Sequence, residues 1–560
     1  MKRFTTLLLA FLIASNLIAQ KQITVEDFTS QNKFSSKSVR GIRWMNDGQY
    51  YSALKQNKVL KYDVTTGNEV ETIIDGNELT PSITISDYAF SKNEQQVLLL
   101  TDRKSIYRRS YTAIYYVYNR SNKKMVKLAS DRQAYGTFSP DGGKVAFTRD
   151  NNLFYVDLAD MKEVQLTNDG KFNHIINGST DWVYEEELYL TKAFFWSPDS
   201  KKIAFYRFDE SHVKEYNMQV WHEGQLYPED YRYKYPKAGE DNSVVEIKIF
   251  NLGDKKTISV DIGKEKDIYI PRVQWTKDPS VLSVRRLNRH QNKMDILHAD
   301  ASTGKSRLIL SDESDTYVDV ETLLYLKDGK HLLLTSEISG YKHIFLFTIE
   351  GKFVRQITQG DWEVSDFVGI DQSTKKPVIY YTSREKSPLE RHFYSIDIKG
   401  KKKKVLSIHE GMSRVNMSND FKYYLNYNSS NTSPNKVELY STKGNTLIKL
   451  LESNQALVET HKEYGIVDKE FFTFKTVDGT VLNGYMLKPS KMDEGKKYPV
   501  LMNQYSGPGS QSVSNSFGGN YWHQMLVQKG YIIVTIDGRG TGARGAQFKK
   551  QTYKQLGKLE

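Results

Sequence analysis

The chain has 560 residues and a mass of 64.7 kDa, carries a formal charge of +12 with a pI near 9.1, and contains no cysteine. That length accommodates several domains, and the absence of thiols excludes disulfides, thiolate metal sites, a cysteine nucleophile and a lipidated-cysteine anchor. The basic excess is spread along the chain, and its one dense run, Lys399 to Lys404, contains Gly400 and reads as a solvated hairpin tip, so no nucleic-acid partner is expected.

Lys2 and Arg3, the apolar run Leu7 to Ala14, and Ala19 before Gln20 predict a signal peptide over residues 1–19 and an exported protein, periplasmic or extracellular. Leu17 is large for a cleavage site, which leaves an uncleaved anchor as the alternative. The run is short for a membrane span and no other segment could cross, so no stable span is expected. Residues 20–39 form an N-terminal segment expected to pack on the second domain.

From about residue 40 a signature recurs: an aromatic or apolar residue, a polar pair, an Asp or Asn turn, then a β-rich run. Its clearest copies begin at Trp44, Phe138 and Trp196, and weaker ones at Phe90, Trp275, Tyr325, Phe367 and Met417. Hairpin turns such as Thr66-Gly67, Thr303-Gly304, Glu350-Gly351 and Lys443-Gly444 punctuate the units. Eight units at spacings of mostly 42 to 58 residues predict a mainly β protein with an eight-bladed β-propeller over residues 40–455. The 79-residue interval from Trp196 to Trp275 breaks the period and holds a Tyr- and Pro-rich segment, Tyr227 to Asn242. The 58-residue interval from Phe138 to Trp196 holds a second excursion. Such insertions project from one face of a repeat domain, where ligands are usually bound.

That second excursion is DWVYEEELYL, Asp181 to Leu190. Glu185, Glu186 and Glu187 stand among Trp182, Tyr184, Leu188 and Tyr189, so carboxylates are held against apolar surface. A partly dried carboxylate pair calls for a cation. A short helix with solvated charge is the alternative.

Past residue 455 the pattern changes. A hairpin (Phe471 to Thr476, Val481 to Leu487), a buried strand (Pro499 to Gln504), the loop Tyr505 to Ser510, an amphipathic helix around Tyr521 to Lys529 and a second strand (Tyr531 to Ile536) ending in Asp537-Gly538-Arg539-Gly540 predict the opening of an α/β domain over 456–560.

DWVYEEE, then Tyr235-Pro236-Lys237-Ala238-Gly239 with Asn242, then Tyr505-Ser506-Gly507-Pro508-Gly509, and DGRGTG at Asp537 to Gly542 together resemble dipeptidyl peptidase IV, a serine exopeptidase of the prolyl oligopeptidase clan, in its bacterial secreted type. The resemblance runs from about Ile23 to the last residue and implies an eight-bladed propeller followed by the N-terminal part of an α/β-hydrolase domain. It implies release of X-Pro or X-Ala dipeptides from peptide N-termini, peptide substrates with a free amine, a homodimer, and neither cofactor nor metal. By the same resemblance, Glu186 and Glu187 bind the substrate α-ammonium, with Glu185 a neighbour and not a ligand. Arg108 contacts a substrate carbonyl, and the Tyr505 hydroxyl helps form the oxyanion hole. Assignment to Arg108 over Arg109 rests on matching Ser110-Tyr111-Thr112-Ala113. Ser243 departs from the family, which usually has proline after Asn242.

No G-x-S-x-G nucleophile turn occurs in the sequence, and no His stands at the family's catalytic position. The expectation is a sequence truncated before the catalytic Ser, Asp and His and inactive by itself. Two alternatives are a non-catalytic propeller that binds peptides or glycans and an endopeptidase of the same clan, which would not need the glutamate pair.

Overall fold

The computed structural model describes residues 20–39 and 41–560, so the predicted signal segment 1–19 lies outside the described residues. Eight antiparallel sheets follow one another along the chain: Arg43–Asp75, Asp87–Lys127, Ala134–Gln165, Ile175–Ser259, Ile268–Glu313, Leu323–Gln356, Val364–Val405 and Met412–Glu452. Seven are simple four-stranded meanders. The fourth has five strands, because Ile175–Asn177 and Phe194–Trp196 both pair with Lys202–Asp209.

The recurring signature has a local cause. Ser139 Oγ accepts the backbone N–H of Lys144 at 2.9 Å and donates to Asp141 Oδ1 at 2.5 Å, closing the turn between the first two strands of its sheet. Ser197 with Asp199 and Ser418 with Asp420 repeat the arrangement. These serines are buried, so the hydroxyl satisfies a backbone donor that the turn would otherwise leave unpaired. Gly142 takes φ +76°, the left-handed region a tight turn requires.

The aromatic residue of the signature ends the first strand of its sheet at Trp44, Phe90, Phe138, Trp275 and Tyr325, as Met417 does in the eighth, whereas Trp196 ends the second strand of the fourth sheet, Phe194–Trp196. Phe367 differs: Val364–Asp371 runs on past it through two register shifts, and the turn is set by Asp371, whose Oδ1 accepts Ser373 N–H at 2.8 Å. The tryptophans also tie sheets together. Trp196 Nε1 donates to Thr137 O at 3.2 Å, Trp275 Nε1 to Phe195 O at 2.9 Å, and Trp44 Nε1 to Asn416 Oδ1 at 2.7 Å. In each case the acceptor lies on the strand of the preceding sheet that ends in the signature residue, and for Trp44 that sheet is the eighth.

Apolar cores fill the space between successive sheets. The last of them joins Tyr51 and Ala53 of the first sheet, with Ile42 just before it, to Leu425, Tyr427, Val437 and Leu439 of the eighth. Among the described residues the series therefore closes on itself, the first and eighth sheets burying facing apolar surfaces against each other.

Beyond Glu452 the helix Gln455–Tyr464 ends at Gly465, whose φ of +57° is left-handed. A mixed sheet follows in the order Glu470–Lys475, Val481–Leu487, Ile532–Asp537, Val500–Asn503, the last pair parallel. The segment expected to be a buried strand is instead an edge strand: Val500 is 61% and Met502 53% exposed. It pairs with Ile532–Asp537 on one side alone, and among the described residues no helix covers it. The N-terminal segment packs here, with Ile23 and Phe34 in a core formed with Leu457, Tyr464 and Met525. The helix Ala546–Lys550 lies against the fifth and sixth sheets. Lys549 Nζ sits 2.6 Å from Asp319 and 2.5 Å from Glu337, and Lys550 Nζ is 2.7 Å from Glu337.

Candidate functional site

The DWVYEEE stretch forms the helix Trp182–Leu188, inserted between the two short strands that share a partner in the fourth sheet. Asp181 caps it, its Oδ1 accepting Tyr184 N–H at 2.9 Å, and Tyr189 ends it in a left-handed conformation with φ +55°. Val183, Tyr184 and Leu188 bury themselves in the core between the fourth and fifth sheets. The Tyr184 hydroxyl accepts Ile270 N–H at 2.8 Å, and Arg272 donates to Leu188 O at 2.8 Å. Seven residues make a marginal helix in isolation; here both ends and one face are anchored by tertiary contacts.

The three glutamates have three environments. Glu185 is 2% exposed, and its Oε1 accepts Arg109 N–H at 2.6 Å and Ser110 N–H at 2.9 Å. Glu186 is half-buried between two guanidiniums, Arg108 Nη2 at 3.0 Å and Arg109 Nη1 at 3.2 Å. Glu187 is exposed and has no hydrogen-bond or ion-pair partner among the described residues. The arginine turn joins Gln96–Ser105 to Tyr111–Asn119 in the second sheet and reaches the helix across the fold. The Arg109 guanidinium also lies over the exposed Tyr189 ring, 4.4 Å from its centroid.

Arg108 and Glu186, named from the sequence, are therefore brought together. Arg109 was passed over there, yet it contributes a guanidinium and a backbone donor to the same group. The Arg108-Arg109 doublet was visible, but its division of labour depends on a turn geometry that side-chain pattern does not encode.

A second layer lies beneath the helix. Asp181 Oδ2 accepts Ser243 Oγ–H at 2.7 Å, both residues buried, and burial raises the Asp181 carboxyl above the usual carboxylate range. Ser243, the departure from proline, thus ties the Tyr235–Asn242 segment to the helix cap. Tyr235 also packs on Trp182, ring centroids 4.1 Å apart, and Asn242 Nδ2 donates to the Tyr269 hydroxyl at 2.9 Å. Nearby, Glu210 is buried, and its carboxyl is pushed up to about 8 by burial and then by the negative charge of Asp181. Neither Glu210 nor the Ser243–Asp181 bond was foreseen, since both join residues distant in sequence.

Tyr505 stands elsewhere, in the loop after the edge strand Val500–Asn503, with 67% of its surface exposed. The loop that carries it is laced to the DGRGTG turn: Gly509 N–H donates to Gly540 O and Gly542 N–H to Ser510 O, both at 2.8 Å. A Cβ on Gly542 would stand 2.6 Å from Gly509 O, so only glycine permits the approach. Asp537, buried and raised by burial, accepts Ser512 N–H at 2.7 Å and Val513 N–H at 3.0 Å. Among the described residues, no hydrogen bond or ion pair joins Tyr505 to the acidic helix.

Comparison with known proteins gives this geometry a context. Residues 91–435 match the family described as dipeptidyl peptidase IV (DPP IV) N-terminal region. The crystal structure of Porphyromonas gingivalis dipeptidyl peptidase 4 is 39% identical and superposes with a TM-score of 0.91, covering 96% of this chain and 77% of that one. Dipeptidyl peptidase 4 of Trichophyton equinum and that of Trichophyton rubrum are each 30% identical over 566 residues, covering 96% of this chain and 72% of theirs. With a family match over more than half its length, and an acidic helix, arginine turn and glycine loops placed as described, the chain belongs to the dipeptidyl peptidase IV family.

Proposed function

We propose that this protein is a serine-type dipeptidyl peptidase that releases X-Pro or X-Ala dipeptides from peptide N-termini, and that Glu186 and Glu187 bind the substrate's α-ammonium. The observation that carries the reading is the acidic helix itself: adjacent carboxylates, one paired to arginines and one free, on a backbone fixed from below. An ammonium offers three donors and one charge, so two carboxylates satisfy most of its protons through charge-assisted hydrogen bonds. Fixing the N-terminus leaves only the bond two residues along within reach of a nucleophile, and an N-blocked peptide is refused. Arg108 lies where it can turn from Glu186 to a substrate carbonyl, and the Tyr505 hydroxyl supplies a donor to the developing oxyanion.

In this reading the eight sheets are blades of a propeller, and residues 456–560 are the N-terminal part of an α/β-hydrolase domain. The signal segment implies export, periplasmic or extracellular. The protein works as a homodimer, a reading supported by the apolar surface of the hairpin Glu215–Val220 and Glu229–Lys234, where Trp221, Leu226 and Tyr227 are exposed. Residues 1–560 contain no G-x-S-x-G turn, so the reading assigns recognition to these residues and cleavage to the family's Ser-His-Asp triad.

Titration calorimetry of the chain with Ala-Pro-Ala and its N-acetylated form tests the recognition. The free amine binds at least about tenfold tighter, and Glu186→Ala or Glu187→Ala each removes about 1.5–3 kcal/mol of that affinity. Equal affinity for the two peptides would sink the proposal.

A further inference from the structure

Glu186 and Glu187 are open to a ligand, whereas Glu185 faces the protein. Its carboxylate accepts the backbone N–H groups of Arg109 and Ser110, which lie 76 and 75 residues away in sequence. Those amides belong to a turn closed on itself by Ile106 N–H to Ser110 O at 2.9 Å and Tyr107 N–H to Ser110 Oγ at 3.1 Å. No ammonium or guanidinium lies within ion-pair distance of Glu185 among the described residues, because both arginines of the turn are taken by Glu186. A carboxylate 2% exposed and held by amides alone is costly to bury, and both hydrogen bonds it receives point at one turn.

We infer that Glu185 is a positioning residue: it splints the Arg108–Arg109 turn of the second sheet to the acidic helix of the fourth. The splint holds both guanidiniums on Glu186 and leaves Glu187 as the carboxylate free for an incoming cation. Preference for a free N-terminus is then set partly by a residue that never touches the ammonium. This consequence rests on the proposed function; the splint itself does not.

Length and acceptor chemistry define the test. Glu185→Gln keeps an oxygen at the same reach, Glu185→Asp keeps the charge but falls one methylene short, and Glu185→Ala removes the acceptor. Amide hydrogen exchange at Arg109 and Ser110 is expected to quicken about tenfold or more in the Ala and Asp variants and to stay near the parent rate in the Gln variant. Unchanged exchange in a folded Ala or Asp variant overturns the splint. For affinity, Glu185→Ala weakens Ala-Pro-Ala binding about tenfold in the parent, with no further loss in an Arg108→Ala/Arg109→Ala background. Equal losses in both backgrounds overturn the link through the arginines. If the parent does not distinguish Ala-Pro-Ala from its acetylated form, the proposed function fails while the exchange rates still decide the splint.

Discussion

In the acidic helix, buried polar contacts fix both the cap and the facing turn: Asp181 is held by Ser243 and Tyr184 N–H, and Glu185 holds Arg109 and Ser110 N–H. In the Tyr505 loop the backbone is laced by glycine contacts and Asp537, but the tyrosine side chain stands in water with 67% of its surface exposed. The contrast follows from what each group must hold. Under the proposed function, two like charges set side by side need an anchored backbone before the substrate's cation arrives, whereas a neutral hydroxyl donor carries no such penalty and needs only a fixed point of attachment.

The largest effect on this contrast is expected at the exposed side. Tyr505→Phe in the catalytically competent protein lowers kcat by about 3–4 kcal/mol equivalent with KM little changed, while thermal stability moves by no more than about 0.5 kcal/mol. A matching fall in stability would show the hydroxyl to be structural. Steady-state kinetics and thermal melts on the same variant decide it.

On the anchored side, Glu210 gives a pH dependence. Its carboxyl is pushed up to about 8 in the fold, against an ordinary value of 4.5, by burial and by Asp181, with Lys234 opposing and Asp209 adding to the rise. The folded state binds this proton more tightly than the unfolded state does. Its contribution is therefore present below about pH 4.5 and is lost as pH rises through about 8, a fall on the order of 2–4 kcal/mol. Glu210→Gln removes that fall, so its melting temperature exceeds the parent's at pH 8.5 and matches it near pH 4. Parallel melting curves across pH 4 to 9 would contradict it.

Ser243→Ala leaves a buried Asp181 oxygen without its donor and costs about 1–3 kcal/mol of stability, read by urea unfolding. Ser243→Thr, which keeps the hydroxyl, recovers most of it. The smallest effect is at Tyr189→Leu: losing the stack beneath Arg109 costs about 0.5–1 kcal/mol of peptide affinity, and Tyr189→Phe restores it. A larger loss would mean that the helix end, and not the stack, had moved.

Much of the fold was legible because its signals are local. The Ser-Pro-Asp turns of Phe138 and Trp196 mark strand ends by a hydrogen-bond pattern contained within six residues. Phe367 was misplaced by the same logic: its sheet breaks register twice within Val364–Asp371, and a bulge leaves no mark in side-chain alternation. Val500–Asn503 reads as buried because apolar composition reports affinity for a core and is silent on whether neighbours come to cover it. In the site, the glutamates, Arg108 and Tyr505 were named from motifs and Glu185 was set apart from its two neighbours, but that Glu185 would hold the Arg109 and Ser110 amides and Glu186 both guanidiniums was not foreseen. Three identical side chains in a row acquire different environments only from what packs on each face of the helix.

By itself the sequence determined the repeat, the turn chemistry, the acidic stretch and the glycine loops, since each depends on residues near one another in the chain. Tertiary structure decided which glutamate is buried, that both arginines meet Glu186, and that Ser243 reaches Asp181. Each of those contacts joins segments from 62 to 78 residues apart, and their partners are chosen by how the sheets stack, a choice that no short window of sequence contains.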